Sequence, residues 1–156
     1  MKHLFTFPAP RPRFRHLLAG LLFVFTSACT PLISLYDADT FTQTSELKAR
    51  ALVLMDHGVE QYTSYSRDAD EVLVQAWSLY DRQKVRHQNQ LSMQQWKLLM
   101  DDNVGGTVKS ILPSFFERWK AEGTVGKAYI REKKEVVTKA FDEILELEGA
   151  KIKKGQ

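Results

Sequence analysis

Apolar side chains recur every three to four residues along almost the whole chain after residue 39, and no proline interrupts this stretch before Pro113. That spacing places them on one face of an α-helix, whereas a half-buried β-strand requires strict alternation of apolar and polar residues. The chain is 44% hydrophobic, which is too apolar for a disordered protein. The pattern therefore predicts an all-α fold, an antiparallel helical bundle of four to five helices within residues 40–156.

Interruptions of the 3.6-residue spacing divide this region into its helices. Thr40 is the candidate N-cap of the first helix, and Ser92 with Gln95 resembles the capping box of the third. Pro113 either kinks the fourth helix or marks its true first turn, and Gly123 is a natural stop at its end. The predicted helices cover about residues 41–65, 66–87, 92–101, 107–122 and 124–151.

The N-terminal segment has a different organisation, in which basic residues precede a short apolar run. Three arginines lie between residues 11 and 15, and Leu17–Phe25 is a run of nine uncharged, mostly apolar residues. Such a run is too short to cross about 30 Å of hydrocarbon, but it matches the core of a cleaved signal peptide. Small residues follow at 26–28, directly before Cys29, which is the only cysteine in the chain.

The sequence Thr26-Ser27-Ala28-Cys29 resembles the lipobox of bacterial lipoproteins, in which small residues precede an obligatory cysteine. The family usually has leucine where this chain has Thr26. The resemblance covers about the first 29 residues. It implies cleavage after Ala28, a diacylglyceryl group on the Cys29 thiol and an acyl chain on the new amino group. The alternative is an ordinary cleaved signal peptide followed by a free or buried thiol.

The resemblance also implies an organisation and a location. Residues 1–28 would be the lipoprotein signal peptide, residues 29–39 the lipidated cysteine and a short tether, and residues 40–156 the helical domain. Thr30 follows the cysteine where aspartate would resemble an inner-membrane retention signal, so the outer membrane facing the periplasm is favoured. The apolar residues of the tether, Tyr36 among them, either pack on the domain or lie at the lipid interface.

Removal of the signal peptide changes the charge of the protein. The whole chain carries a formal charge of +3, but four of its 22 basic residues, and none of its 19 acidic residues, lie within residues 1–28. The mature part is therefore close to neutral, and it has no stretch that interleaves basic with aromatic residues. We expect no nucleic-acid partner.

Partial motifs for metal, nucleotide or catalytic chemistry are each incomplete. Asp101–Gly106 resembles the start of a calcium loop, but Leu112 stands where a bidentate glutamate is needed. Gly123–Lys127 resembles the end of a phosphate loop without its earlier glycine or its final Ser/Thr. His57 with Glu60 could share a helix face, but a dinuclear site needs further ligands. We expect no catalytic residues, no metal and no cofactor beyond the acyl chains, and an enzymatic function is disfavoured.

Aromatic residues crowd the middle of the chain and have two interpretations. Core packing is the default. The functional hypothesis is an interaction surface in a helix groove, formed by Trp96, Phe116, Trp119 and Tyr129.

Near the C-terminus, an acidic stretch is followed by lysines at 151, 153 and 154, and both are interpreted as a solvated helix face with a basic tail. The alternative is that the lysines contact anionic headgroups or a partner. The acidic residues are Asp142, Glu143, Glu146 and Glu148.

The mature part is similar in general character to small helical lipoproteins of Gram-negative bacteria. The sequence thus favours a non-enzymatic interaction or structural module of the cell envelope, anchored in the lipid bilayer through Cys29, with an unidentified envelope protein as partner. Two alternatives stay open: a carrier or sensor for a small apolar ligand within the bundle, and an envelope immunity or inhibitor protein.

Overall fold

A computed structural model describes residues 35–87, 89–101 and 110–151 of the chain. Within these ranges the protein is all-α, without strands, so the predicted helical bundle is confirmed. Two 3₁₀ turns, His57–Val59 and Tyr62–Ser64, connect the first two helices. The helices are α1 (Ala38–Asp56), α2 (Ser66–Val85), α3 (Gln90–Met100), α4 (Ile111–Glu122) and α5 (Lys127–Ala150).

Four of the helices form a ring in which α1 and α3 each pack against α2 and α5. Ion pairs between α1 and α5 join Lys48 to Asp142 and Asp56 to Lys134. Residue numbers therefore rise along α1 as they fall along α5, which makes the two helices antiparallel. The remaining helix, α4, packs on α3 and α5 and against the 3₁₀ turn Tyr62–Ser64.

This arrangement gives the bundle two different ends. The N-termini of α1 and α3 meet the C-termini of α2 and α5 at one end, where Asp37, Arg86, Asn89 and Lys151 lie close together. We call it the tether end, because the chain enters the bundle there. The opposite end, which α4 covers, is called the distal end.

Apolar faces of all five helices meet in one core. Every third or fourth residue is buried on each helix, as the spacing predicts. Complete burial of each large side chain contributes about 1.5–3 kcal/mol, so the aromatic residues supply much of the stability. The largest fully buried side chains are Trp96, Trp119, Tyr80, Phe115, Phe116 and Phe141.

The first helix ends nine residues before its predicted end at 65, because Gly58 lies where another part of the chain comes close. Its carbonyl oxygen accepts a hydrogen bond from the backbone nitrogen of Val125 at 2.7 Å. A Cβ at position 58 would lie 2.8 Å from Val125 Cγ2 and 3.2 Å from Phe115 Cζ. The backbone nitrogen of Tyr62 also donates to Gly123 at 2.8 Å. The prediction of one continuous helix is therefore wrong.

Two predicted helix starts are also wrong by a few residues. Helix α1 begins at Ala38 with Asp37 as its N-cap, whose side chain accepts from the backbone nitrogen of Thr40 at 3.1 Å. Thr40, the predicted cap, is buried in the first turn. Helix α3 begins at Gln90, so Ser92 lies buried inside its first turn instead of capping it.

Helix α4 begins at Ile111, about four residues later than predicted, but its proline and its terminal glycine have the predicted roles. Pro113 is the third residue of the helix, where its missing N–H leaves no hydrogen bond unmade, so the first-turn interpretation is correct. Gly123 follows the last helical residue with φ of +75°, a left-handed conformation that glycine adopts without strain. It ends α4 as predicted.

Candidate functional site

The predicted aromatic interaction surface is largely part of the core. Trp96 and Trp119 are fully buried and Phe116 is 1% exposed, so these three side chains cannot contact a partner. They lie on the inward stripes of α3 and α4, and the indole N–H of Trp119 donates to the carbonyl oxygen of Glu60 at 2.9 Å. The surface hypothesis is wrong for them, and core packing is the correct interpretation.

Tyr129 is the one member of that set that reaches the surface. Its ring stacks on Phe115, with centroids 5.8 Å apart and planes 6° from parallel. The guanidinium of Arg118 lies 4.2 Å from the centroid of the Tyr129 ring. A half-buried ring held between an aromatic core residue and a cation leaves little apolar area for a partner.

His57 and Glu60, considered above as a metal pair, do come together at the distal end. His57 Nδ1 lies 2.7 Å from Glu60 Oε1, and the Tyr65 hydroxyl donates to Glu60 Oε2 at 2.8 Å. These hydrogen bonds, first that of His57 and then that of Tyr65, lower the pKa of Glu60. Both carboxylate oxygens are thus engaged within the chain, and the contacts fasten the connection between α1 and α2.

One face of α5, together with Asp56 and Val59, lines an open surface groove of about 810 Å³. Its walls carry charges of both signs, and Lys134 binds both carboxylate oxygens of Asp56 at 2.6 and 2.7 Å. Apolar area at its base comes from Ile130 and Val59. A narrower groove of about 390 Å³, lined in part by Val53 and His57, opens between α1 and α2.

A group of buried polar side chains at the tether end has no counterpart in the sequence-based predictions. Glu148 is fully buried and accepts from Arg86 Nη1 at 3.3 Å and from Lys151 Nζ at 2.5 Å. Lys151 also donates to Asn89 Oδ1 at 2.9 Å. Burial lowers the pKa of Lys151, although its hydrogen bond to Glu148 opposes that effect.

The group continues across the bundle to the start of α1. Asn89 Nδ2 donates to Gln83 Oε1 at 2.6 Å, and Gln83 Nε2 donates to Thr40 Oγ1 at 3.4 Å. The Thr40 hydroxyl donates to Asp37 Oδ2 at 2.8 Å, and Asp37 lies 3.9 Å from Arg86. Burial alone would raise the pKa of Asp37, but the hydrogen bonds from Thr40 and the charge of Arg86 lower it.

These residues connect the ends of α1, α2, α3 and α5, and together they are called the tether-end network. Two acidic and two basic side chains balance its formal charge. Its members are Asp37, Thr40, Gln83, Arg86, Asn89, Glu148 and Lys151.

The tether-end network also holds the segment that enters the bundle. Arg86 Nη2 donates to the carbonyl oxygen of Leu35 at 2.5 Å. Leu35 is therefore held to the domain through its backbone, although its side chain is exposed, and Ala38 and Asp39 are already helical. The helical domain thus begins before residue 40. Cys29 and the preceding signal segment lie outside the described residues.

The sequence did contain a sign of this network. Along α5, Val137, Phe141 and Ile144 mark the buried stripe, and Glu148 and Lys151 continue it at the same spacing. Two charged residues in a buried register indicate a paired site. The interpretation of Lys151 as part of a solvated tail is wrong, because its side chain is 3% exposed. The lysines at 153 and 154 lie outside the described residues.

The other partial motifs have ordinary structural roles where they are described. Gly123 and Gly126 flank the connection between α4 and α5, one as a C-cap and the other as an N-cap. Residues 102–106 of the calcium-like loop lie outside the described ranges. Within those ranges, no cluster of three or more His, Cys, Asp or Glu side chains could hold a metal ion.

None of the described helices is both long enough and apolar enough to cross a membrane. Comparisons of the chain with protein-family models, with curated proteins and with solved structures find no match.

Proposed function

We propose that this protein is a lipid-anchored lipoprotein of the bacterial cell envelope, and that its helical domain is a non-enzymatic interaction or structural module. The observation that carries the proposal is the position of Cys29. The only thiol in the chain directly follows three small residues, which themselves follow a basic segment and a short apolar run. Two or three acyl chains at that thiol would make release from a bilayer very slow.

The structure of the domain is compatible with this role. The first described residues, Leu35 and Tyr36, lie at one end of the bundle, so an anchor at Cys29 would leave the sides and the distal end accessible. His57 and Glu60 at the distal end, and Glu148 at the tether end, are engaged in contacts within the chain. This supports a structural role over a catalytic one. An outer-membrane position facing the periplasm is the preferred location.

The alternative of a carrier for an apolar ligand has weaker support. The grooves described above open to solvent, and the centre of the bundle is occupied by large side chains such as Trp96, Phe116 and Phe141. A carrier would need an enclosed apolar cavity of several hundred Å³.

Lipidation is tested by expressing the full chain in a Gram-negative host that is fed radiolabelled palmitate. We expect label and a matching mass increase on the mature wild-type protein, and neither on the Cys29→Ser variant, which keeps the size of the side chain. Because Cys29 is the only cysteine, a thiol-specific maleimide should not react with the denatured wild-type product. A mature protein with a reactive thiol and no label would contradict the proposal.

The interaction role is tested by crosslinking the native lipidated protein in envelopes, followed by pulldown. Recovery of a defined envelope protein with wild type, and its loss with Cys29→Ser, supports a module that works at the membrane. If the two proteins recover the same background, the interaction role fails while the anchor stands.

A further inference from the structure

Several large apolar side chains are exposed together at the tether end. Leu35 is 81% exposed and Val85 is 83% exposed, and Leu91 and Tyr36 are exposed by 44% and 38%. Leu35 and Tyr36 immediately precede Asp37, while Val85 and Leu91 stand within two residues of network members on α2 and α3. These four side chains, called the apolar rim, thus belong to the same end of the bundle as the tether-end network.

Two members of the apolar rim, Leu35 and Tyr36, are held to the bundle by direct contacts. Arg86, the neighbour of Val85, donates to the carbonyl oxygen of Leu35, which joins the two most exposed members of the rim. Aromatic contact between Tyr36 and Phe41, with ring centroids 6.4 Å apart, holds a third member against α1. A group of exposed apolar side chains is a feature of surfaces that contact a partner or a lipid.

The length of chain between the rim and the lipid anchor identifies the occupant. Leu35 follows Cys29 by six residues, a separation that a fully extended chain can span to at most about 20 Å. If Cys29 carries acyl chains in a bilayer, Leu35 cannot lie further than this from the headgroup region, and the rest of the apolar rim lies at the same end of the bundle. The anchor also raises the effective concentration of the apolar rim at the bilayer surface, so even weak apolar contacts suffice for docking.

Resting on the proposed lipid anchor, we propose that the apolar rim is a bilayer-contacting surface. Leu35, Tyr36, Val85 and Leu91 would lie among the lipid headgroups, and the bundle would stand on its tether end with the distal end pointing away. Tyr36 suits such a position because its ring is apolar and its hydroxyl is polar. Exposed charges near the rim have both signs, as in the ion pair between Lys84 and Asp81. Because these charges largely cancel, contact of the rim with a bilayer should not require anionic lipid.

The test uses the lipidated, mature full chain in vesicles, with one introduced cysteine that carries an environment-sensitive fluorophore. Acylation of Cys29 leaves the introduced cysteine as the only free thiol. Val85→Cys places the label in the rim. The matched control is Val53→Cys, which is 62% exposed and lies 15 residues into α1, about 22 Å further along the axis. Quenchers are attached to the headgroup region of the lipid.

We expect the Val85→Cys label to be quenched about threefold more strongly than the Val53→Cys label, since interfacial side chains lie within 5–10 Å of the headgroup boundary. Quenching should be similar in phosphatidylcholine vesicles and in vesicles containing phosphatidylglycerol. A second pair, Leu91→Cys against Val136→Cys, repeats the measurement on α3 and α5 and covers the case in which one variant fails to fold.

Other outcomes would overturn the inference in distinguishable ways. Equal quenching of both labels on protein that floats with the vesicles would refute the orientation and leave the lipid anchor intact. Self-quenching of the Val85→Cys label that rises with protein density, without quenching by lipid, would show that a second copy covers the rim. Protein that carries no acyl chain would refute both the anchor and the bilayer contact.

Discussion

Replacement of Glu148 by leucine tests whether the tether-end network is a coupled unit. The carboxylate is fully buried and is the shared acceptor for Arg86 and Lys151, whose side chains are only 16% and 3% exposed. Without it, the buried Lys151 loses its anionic partner, and the half-buried Arg86 keeps only Asp37 at 3.9 Å. Removal of one partner from a buried ion pair costs about 3–5 kcal/mol, and we expect Glu148→Leu to destabilise the domain by that amount.

A second substitution separates the ion pair from the packing around it. Lys151→Met removes the buried amine and keeps a flexible chain of similar length. In the double variant Glu148→Leu/Lys151→Met, apolar side chains replace the pair, which is often neutral or stabilising. We therefore expect the double variant to recover at least about 2 kcal/mol relative to Glu148→Leu alone.

The assay is urea unfolding at pH 7, monitored by circular dichroism, of the wild type, the two single variants and the double variant. The four free energies of unfolding are analysed as a double-mutant cycle. Asp142→Asn is the matched control, because Asp142 also pairs with a lysine but its side chain is 58% exposed. Its cost should stay below about 1 kcal/mol. Additive costs in the cycle, or a Glu148→Leu cost as small as that of Asp142→Asn, would refute the account of a coupled buried network.

Three further predictions concern the core, the helix junction and the first helix cap. In urea unfolding, Trp119→Phe should cost about 1–2 kcal/mol more than Trp96→Phe. The indole N–H of Trp119 donates to the carbonyl oxygen of Glu60, whereas that of Trp96 has no acceptor among the described residues. Gly58→Ala should cost about 1–3 kcal/mol because its Cβ meets core side chains. Gly126→Ala has open space around it, and because alanine is a poorer N-cap than glycine it should cost up to about 1 kcal/mol; a Gly126→Ala cost larger than that of Gly58→Ala would contradict the close packing. Asp37→Ala should cost about 1 kcal/mol at pH 7. Because the pKa of Asp37 is lowered in the folded state, this cost should shrink as the pH falls below about 4. A constant cost down to about pH 3 would show that the charge of Asp37 has no role.

The sequence predicted the helices because their apolar stripes are local patterns. Helix α2 and the end of α4 at Gly123 agree with the spacing and the cap residue. The end of α1 could not be predicted in the same way. Gly58 permits a contact with Val125, which lies 67 residues later in the chain, and no local pattern records that approach.

The candidate site was less predictable because the type of a residue and its position on a helix gave opposite indications of its burial. Trp96 and Trp119 could be interpreted as an interaction surface only when their register on the buried stripes was set aside. Conversely, Glu148 and Lys151 were interpreted as solvated because they are charged, although the same register places them inside. In both cases, the position of a residue on the buried stripe of its helix predicted its burial better than its residue type did.

The two ends of the bundle are closed by different chemistry, and the difference is consistent with one end lying near lipid. At the distal end, α4 covers the core with aromatic rings such as Phe115 and Trp119. A similarly apolar closure at the tether end could open toward a bilayer at little cost, because hydrocarbon solvates apolar side chains. Paired charges such as Glu148 and Lys151 oppose that opening, since separating them in hydrocarbon costs several kcal/mol for each ion. Under the proposed bilayer contact, the tether-end network would allow apolar side chains at the rim while the helices beneath stay closed.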